Sequence, residues 1–168
     1  MAIRPGVYNI NNCHNNYAMM MYANEEDGTV LVCIDGTDSQ TVSTTTLFPV
    51  KTGPGTNRYT IGSDTFKYNV GADSKNLDQR PCPFTTVENF EWSIEPAVAR
   101  ATRIHIPNMD AYWFLPDGPR YTNVSRICWR MNYRVDGLTL TDPDVQIYIE
   151  KDQGRPAEVW KMVWVKDN

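Results

Sequence analysis

No run of about 18 apolar residues occurs anywhere in the chain, so the sequence offers no membrane-spanning helix. The opening MAIRPGVYNI has no long apolar segment of the secretory kind. The expected location is therefore cytoplasmic. The excess of charge of one sign is small too. Sixteen Lys and Arg stand against twenty Asp and Glu, for a net charge of −4 over 168 residues. No basic cluster interrupts that balance, which argues against a nucleic-acid partner held by counterion release. Cysteine is sparse: Cys13, Cys33, Cys82 and Cys128, with no CxxC pair. Two histidines cannot complete a usual zinc site, so no metal and no cofactor are expected. Free thiols are the default in a reducing compartment.

Catalytic motifs are missing as well. GxSxG, the phosphate-binding P-loop and HExxH do not occur. Gly53-Pro54-Gly55 is followed by neither a Lys-Ser pair nor a helix pattern. Asn123-Val124-Ser125 is a glycosylation sequon without a secretory context. Helical periodicity is rare, and eleven prolines break most windows long enough to hold it.

What the chain has is alternation. VYNI, TVLVCI, RYTI, TFKYNV, FEWSIE, TRIHI, AYWF, VQIYIE and VWKMVWV all read with period two, the signature of strands. These strands recur as copies. Tyr8-Asn9-Ile10 returns as Tyr59-Thr60-Ile61 and more loosely as Ile104-His105-Ile106. Phe48-Pro49-Val50 and Trp92-Ser93-Ile94 precede the second and third copies, and Trp160-Lys161-Met162 closes the chain with the same theme. A period of roughly 45–51 residues with four short strands each implies three units closing around one core. The expectation is an all-β fold, a β-trefoil of about twelve strands in three repeats, forming one domain over residues 1–168. The third copy is longer, and its excess falls in 119–143, where SRICWRMNYRV reads as strand.

Asn11-Asn12-Cys13-His14-Asn15-Asn16 poses the main functional question. A nucleophilic cysteine needs a base in hydrogen-bond reach and a third group to orient that base. Neighbours in a strand point to opposite sides, and the asparagines favour a turn, so a loop role is expected. His105 alternates with Ile104 and Ile106 and is assigned to the polar face of its strand. Glu25-Glu26-Asp27-Gly28 reads as a solvated hairpin turn. Met19, Met20 and Met21 cannot all face one side of a strand, so core packing of some is expected. Trp92 and Trp160 occupy the repeat's core position; for Trp113 and Trp129 core or hairpin-cap packing is the default, and anchoring a sugar or a protein is the alternative. No catalytic constellation results, and a non-enzymatic binding scaffold is the expectation.

Several segments carry a resemblance. GVYNI, MYANEEDGTVLV, RYTI, WSIEP and DVQIYIEKDQGRPAEVWKMVWV are similar to the fungal mycocypins, the clitocypin- and macrocypin-type β-trefoil inhibitors of cysteine proteases. The WSIE and G-x-Y-x-I elements are shared with a second fungal trefoil family, the cospin-type serine-protease inhibitors. The mycocypin likeness implies two neighbouring loops wedged into a papain-like cleft, covering the target's cysteine. Here those would be Asn11 to Asn16 (Asn11, Asn12, Cys13, His14, Asn15, Asn16) and Asp35 to Gln40 (Asp35, Gly36, Thr37, Asp38 and onward). The glycine pair of that family's first loop is absent. A further loop that serves legumain or trypsin in some members matches Gly62 to Thr65 and offers Asp64, without Lys or Arg. The cospin-type reactive loop maps to Asn24 to Gly28, whose acids would be repelled by the Asp of a trypsin pocket. The reading is thus a protease inhibitor, first of papain-like cysteine proteases, with a protease as partner. The alternative is a carbohydrate-binding trefoil lectin with glycans as partner. Asp110, Tyr112, Trp113 and Asp117 would be its sugar cluster, although the Q-x-W signature of ricin-type lectins is missing from all three copies.

Overall fold

The computed structural model describes residues 3–21, 27–34, 47–55, 57–63, 67–116 and 145–167. Short, turn-punctuated alternation becomes short strands. The first copy holds β1 (Gly6–Asn12), β2 (Ala18–Met20), β3 (Val32–Ile34) and β4 (Phe48–Thr52). The second holds β5 (Arg58–Ile61), β6 (Asn69–Gly71), β7 (Phe84–Thr86) and β8 (Trp92–Pro96). The third holds β9 (Thr102–His105), β10 (Tyr112–Phe114), β11 (Val145–Gln146), β12 (Tyr148–Glu150) and β13 (Trp160–Lys166). β11 and β12 flank the single residue Ile147 and act as one interrupted arm, so each copy contributes four strands. The described residues include two 3-10 turns, Val98–Arg100 and Pro156–Glu158, and no α-helix.

Six strands close a ring in the order β1-β4-β5-β8-β9-β13 and back to β1, every pair antiparallel. Closure removes free sheet edges from the barrel. Three hairpins, β2–β3, β6–β7 and β10–β12, cap one end. This is the β-trefoil. Cross-strand register makes the copies superimposable. Tyr8 pairs with Phe48, Tyr59 with Trp92 and Thr102 with Trp160. Ile10, Ile61 and Ile104 face Met162, Val50 and Ile94 in the same way. The third copy is therefore Thr102-Arg103-Ile104, two residues earlier than the sequence pattern suggests. The turn from β8 to β9 is tighter than that from β4 to β5, with Ala99 and Arg100 at positive φ, and a threonine stands where the other copies carry tyrosine.

The core lies inside this ring. Ile10, Ile61 and Ile104 are fully buried, as are Phe48, Trp92 and Trp160. Met19, Met20 and Met21 are all buried, but only Met19 and Met21 join the main core. Period-two geometry turns Met20 to the other side. Trp113 sits edge-on between Trp92 (centroids 5.0 Å) and Trp160 (5.7 Å). The indole N–H of Trp92 donates to the Val70 carbonyl at 2.8 Å, and that of Trp160 donates to the equivalent Trp113 carbonyl at 3.3 Å. Under the cap, Ile147 N–H donates to Leu31 O (3.2 Å) and Leu31 N–H to Pro83 O (3.0 Å). Pro83 has no N–H, so one side of this backbone triangle is missing. The extra length at 119–143, with Cys128 and Trp129, lies outside the described residues, between β10 and β11.

Candidate functional site

One loop occurs three times. After each first strand the chain closes a six-residue turn with a backbone bond: Asn12 N–H to Tyr17 O (2.8 Å), Ser63 N–H to Tyr68 O (2.9 Å) and Ile106 N–H to Ala111 O (3.0 Å). The ladder then resumes with Asn11 opposite Ala18, Gly62 opposite Asn69 and His105 opposite Tyr112. The Asn11–Asn16 stretch and the Asp110 loop are thus equivalent, and Ser63 and Tyr68 mark the same place in the second copy. No local sequence likeness reveals this; only the register does.

The first copy of the loop is organised by a buried asparagine. The Asn12 side chain donates to Ala157 O at 2.9 Å and accepts from His14 N–H at 3.0 Å. Cys13 N–H donates to Val159 O at 2.9 Å, and Asn15 Oδ1 accepts from Tyr17 N–H at 3.1 Å. Asn16 adopts φ 61°, a conformation asparagine tolerates better than most residues. Asn11 and Asn15 are half-buried, while Cys13, His14 and Asn16 are exposed at the tip. Burial pushes the Cys13 thiol up, and Lys161 offsets this in part. A nucleophilic cysteine needs the opposite shift. Asp35, Gly36, Thr37, Asp38 and Asp64 lie outside the described residues, as do Glu25 and Glu26.

The third copy carries charge and an aromatic ring at the same place. β9 points Ile104 inward and Arg103 and His105 to the outer face. Tyr112 stacks on His105, with centroids 4.6 Å apart and planes 28° from parallel. His105 lies on the strand face that the alternation assigns to it. It faces away from Ile104, yet Tyr112 covers it to 7% exposure. Its Nδ1 lies 3.0 Å from Ile106 O, and its Nε2 lies 3.4 Å from Glu95 Oε1 without the alignment of a hydrogen bond. Arg103 lies 4.6 Å from the Tyr112 ring centre. Burial, then the Glu95 charge, raises the Tyr112 hydroxyl above its ordinary pKa.

The loop from β12 to β13 completes the site. Asp152 takes Arg103 in a two-point grip, one arm at 2.8 Å. Glu158 is fully buried, accepting from Arg103 at 2.8 Å, from Arg155 Nε at 3.0 Å and from the Gln153 N–H at 3.1 Å. Arg155 also reaches Glu150 at 2.8 Å and stacks on Phe114. The Arg103 hydrogen bond, then the Gly154 N–H, holds the Asp152 carboxyl well below the usual range. Asp110 Oδ1 accepts from Asp152 N–H at 3.0 Å, which locks the two loops together.

Of the expected sugar cluster, the structure brings together Asp110 and Tyr112. Trp113 is corrected: adjacent strand residues face opposite ways, and its ring is wholly buried in the core, closed to any ligand. Asp117 lies outside the described residues. Glu95, Arg103, Asp152 and Glu158 were not singled out from sequence, because their convergence depends on strand register. Among the described residues no group of three or more His, Cys, Asp or Glu is placed to hold a metal ion.

No protein-family model matches the chain, and no curated protein sequence does. Solved structures do match. The designed threefold-symmetric protein ThreeFoil superimposes with a TM-score of 0.67 at 10% identity, covering 95% of this chain and 99% of that one. The Macrolepiota procera ricin B-like lectin, in complex with lactose, gives 0.66 at 13% identity over 98% and 100%. The Rhizoctonia solani agglutinin gives 0.65 at 14% identity over 98% and 99%. At such identities the likeness establishes the β-trefoil fold, and it does not extend to a mycocypin or cospin identity.

Proposed function

We propose that the chain is a non-enzymatic glycan-binding β-trefoil whose site is the outer face of the third copy. The observation that carries this is Asp110 beside the half-exposed Tyr112, on a loop fixed by Asp152 and Arg103. A carboxylate next to a phenol suits a sugar, whose hydroxyls can bond Asp110 and the Tyr112 hydroxyl while its C–H groups meet the ring edge that His105 and Arg103 leave. A site whose groups are already held loses little freedom on binding. The lectins among the fold neighbours add support, one of them holding lactose. A glycan array followed by titration tests the reading. Asp110→Ala and Tyr112→Ala should each abolish binding in a folded protein, and a chain that binds no glycan removes the proposal.

A second reading keeps one specific observation: the braced Asn11–Asn16 turn with Cys13 and His14 at its exposed tip. A loop stiffened at both ends can occupy a protease cleft without chemistry. Titration against papain, legumain and trypsin decides it, and no inhibition at micromolar concentration sinks it.

A further inference from the structure

Building on the sugar-binding reading, we infer that the chain carries one glycan site, and that this site accepts neutral or amine-bearing glycans and rejects acidic ones. The register fixes which residues stand at equivalent places in the three copies. Where the third copy has Arg103, His105, Asp110, Tyr112 and Glu95, the first has Asn9, Asn11, Asn16, Ala18 and Val163. The second has Thr60, Gly62, Lys67, Asn69 and Lys51. Neither of the other two places has a ring or a carboxylate. Among the described residues of these three places, a ligand that needs both finds them at the third, so the three places together do not bridge two glycans.

The charge at that one place is lopsided. Glu95, Asp110 and Asp152 face solvent, and Glu158 lies beneath. Arg103 is fully engaged by Asp152 and Glu158, and Arg155 by Glu150 and Glu158. Arg58 holds Asn108 of the same loop at 3.1 Å and also has Glu91 at 3.8 Å. Lys151 stands beside Asp152, and Arg100 lies in the turn between β8 and β9. Among these described residues the carboxylates outnumber the cations, and Arg58, Arg103 and Arg155 are engaged by partners. A sialylated or uronate sugar would bring like charge to Asp110 and Glu95, whereas an ammonium would be drawn to them.

The test is a glycan array on the intact chain with matched members: lactose and 6′-sialyllactose, N-acetylglucosamine trimer and glucosamine trimer. Calorimetry on the tightest binder follows. We expect one equivalent of sugar per chain, no agglutination of red cells, and an acidic member of a pair at least roughly tenfold weaker than its neutral counterpart. Glu95→Gln should narrow that gap between the members of an acidic pair. Two or three equivalents, or equal binding of both members of an acidic pair, overturns the inference and leaves the sugar-binding reading intact. An empty array removes that reading and this inference with it.

Discussion

Asp110 Oδ1 accepts a hydrogen bond from the backbone N–H of Asp152 at 3.0 Å. The two residues sit on different loops of the third copy, one leaving β9 and the other leaving β12. This bond sets the distance between the Asp110 carboxylate and the Arg103 anchor. Asp110→Ala should therefore act on binding far more than on folding. A single exposed hydrogen bond is worth about 1 kcal/mol, so the denaturation midpoint should move little while titration shows binding lost.

Glu158 carries the opposite weighting. It is fully buried and serves two guanidiniums and backbone N–H groups. Glu158→Ala leaves Arg103 and Arg155 short of a buried partner and should destabilise the fold by about 3–5 kcal/mol. Glu158→Gln keeps an acceptor and should lose less. Urea unfolding of both variants checks the order.

Acid should weaken this corner of the molecule. The Asp152 carboxyl is depressed in the folded chain, chiefly by Arg103. A depressed carboxyl adds stability above its unfolded value, near 3.9, and loses it as pH falls through that value towards the folded one. Arg103→Met should flatten the decline of the urea midpoint between about pH 5 and pH 2.5. Asp73, lowered by its bond to the Asn76 side chain, should leave part of the slope in place.

In the first copy, Asn12→Ala strips a buried bond from Ala157 O and another from His14 N–H. Leaving such groups unpaired should cost about 2 kcal/mol. Asn15→Ala, at a half-buried position, should cost less than about 1 kcal/mol. Thermal melts of the two variants side by side measure the difference.

Thiol accessibility gives a further check. Cys13 is exposed, and Cys33 and Cys82 are buried. Burial also holds the Cys33 thiol well above its ordinary pKa, so its thiolate is scarce. Brief alkylation of the native protein, read by peptide mass spectrometry, should label Cys13 before Cys33 and Cys82. Early labelling at Cys33 would contradict the packing described.

The architecture was legible because core positions repeat. Phe48, Trp92 and Trp160 recur with an apolar residue two places on, and that spacing survives wherever a barrel strand must present one face inward. The third copy misled by two residues. Ile104-His105-Ile106 imitates the pattern, while the true counterpart of Tyr8 is Thr102, which no pattern of residue types would select. The site was half legible. Asp110 and Tyr112 lie close in sequence, and the structure keeps them together at the start of β10. Trp113 was grouped with them although strand alternation turns it inward. Arg103, Asp152 and Glu158 meet only through pairing of distant strands, so sequence proximity gave no sign of them.

The edge-on contact of Trp92, Trp113 and Trp160 has an optical consequence. Each ring comes from a different strand, and all three are sealed from water. Their electronic transitions couple when the barrel and its cap are joined and decouple when either loosens. Fluorescence and near-ultraviolet dichroism thus give a built-in gauge of closure, needing no attached dye.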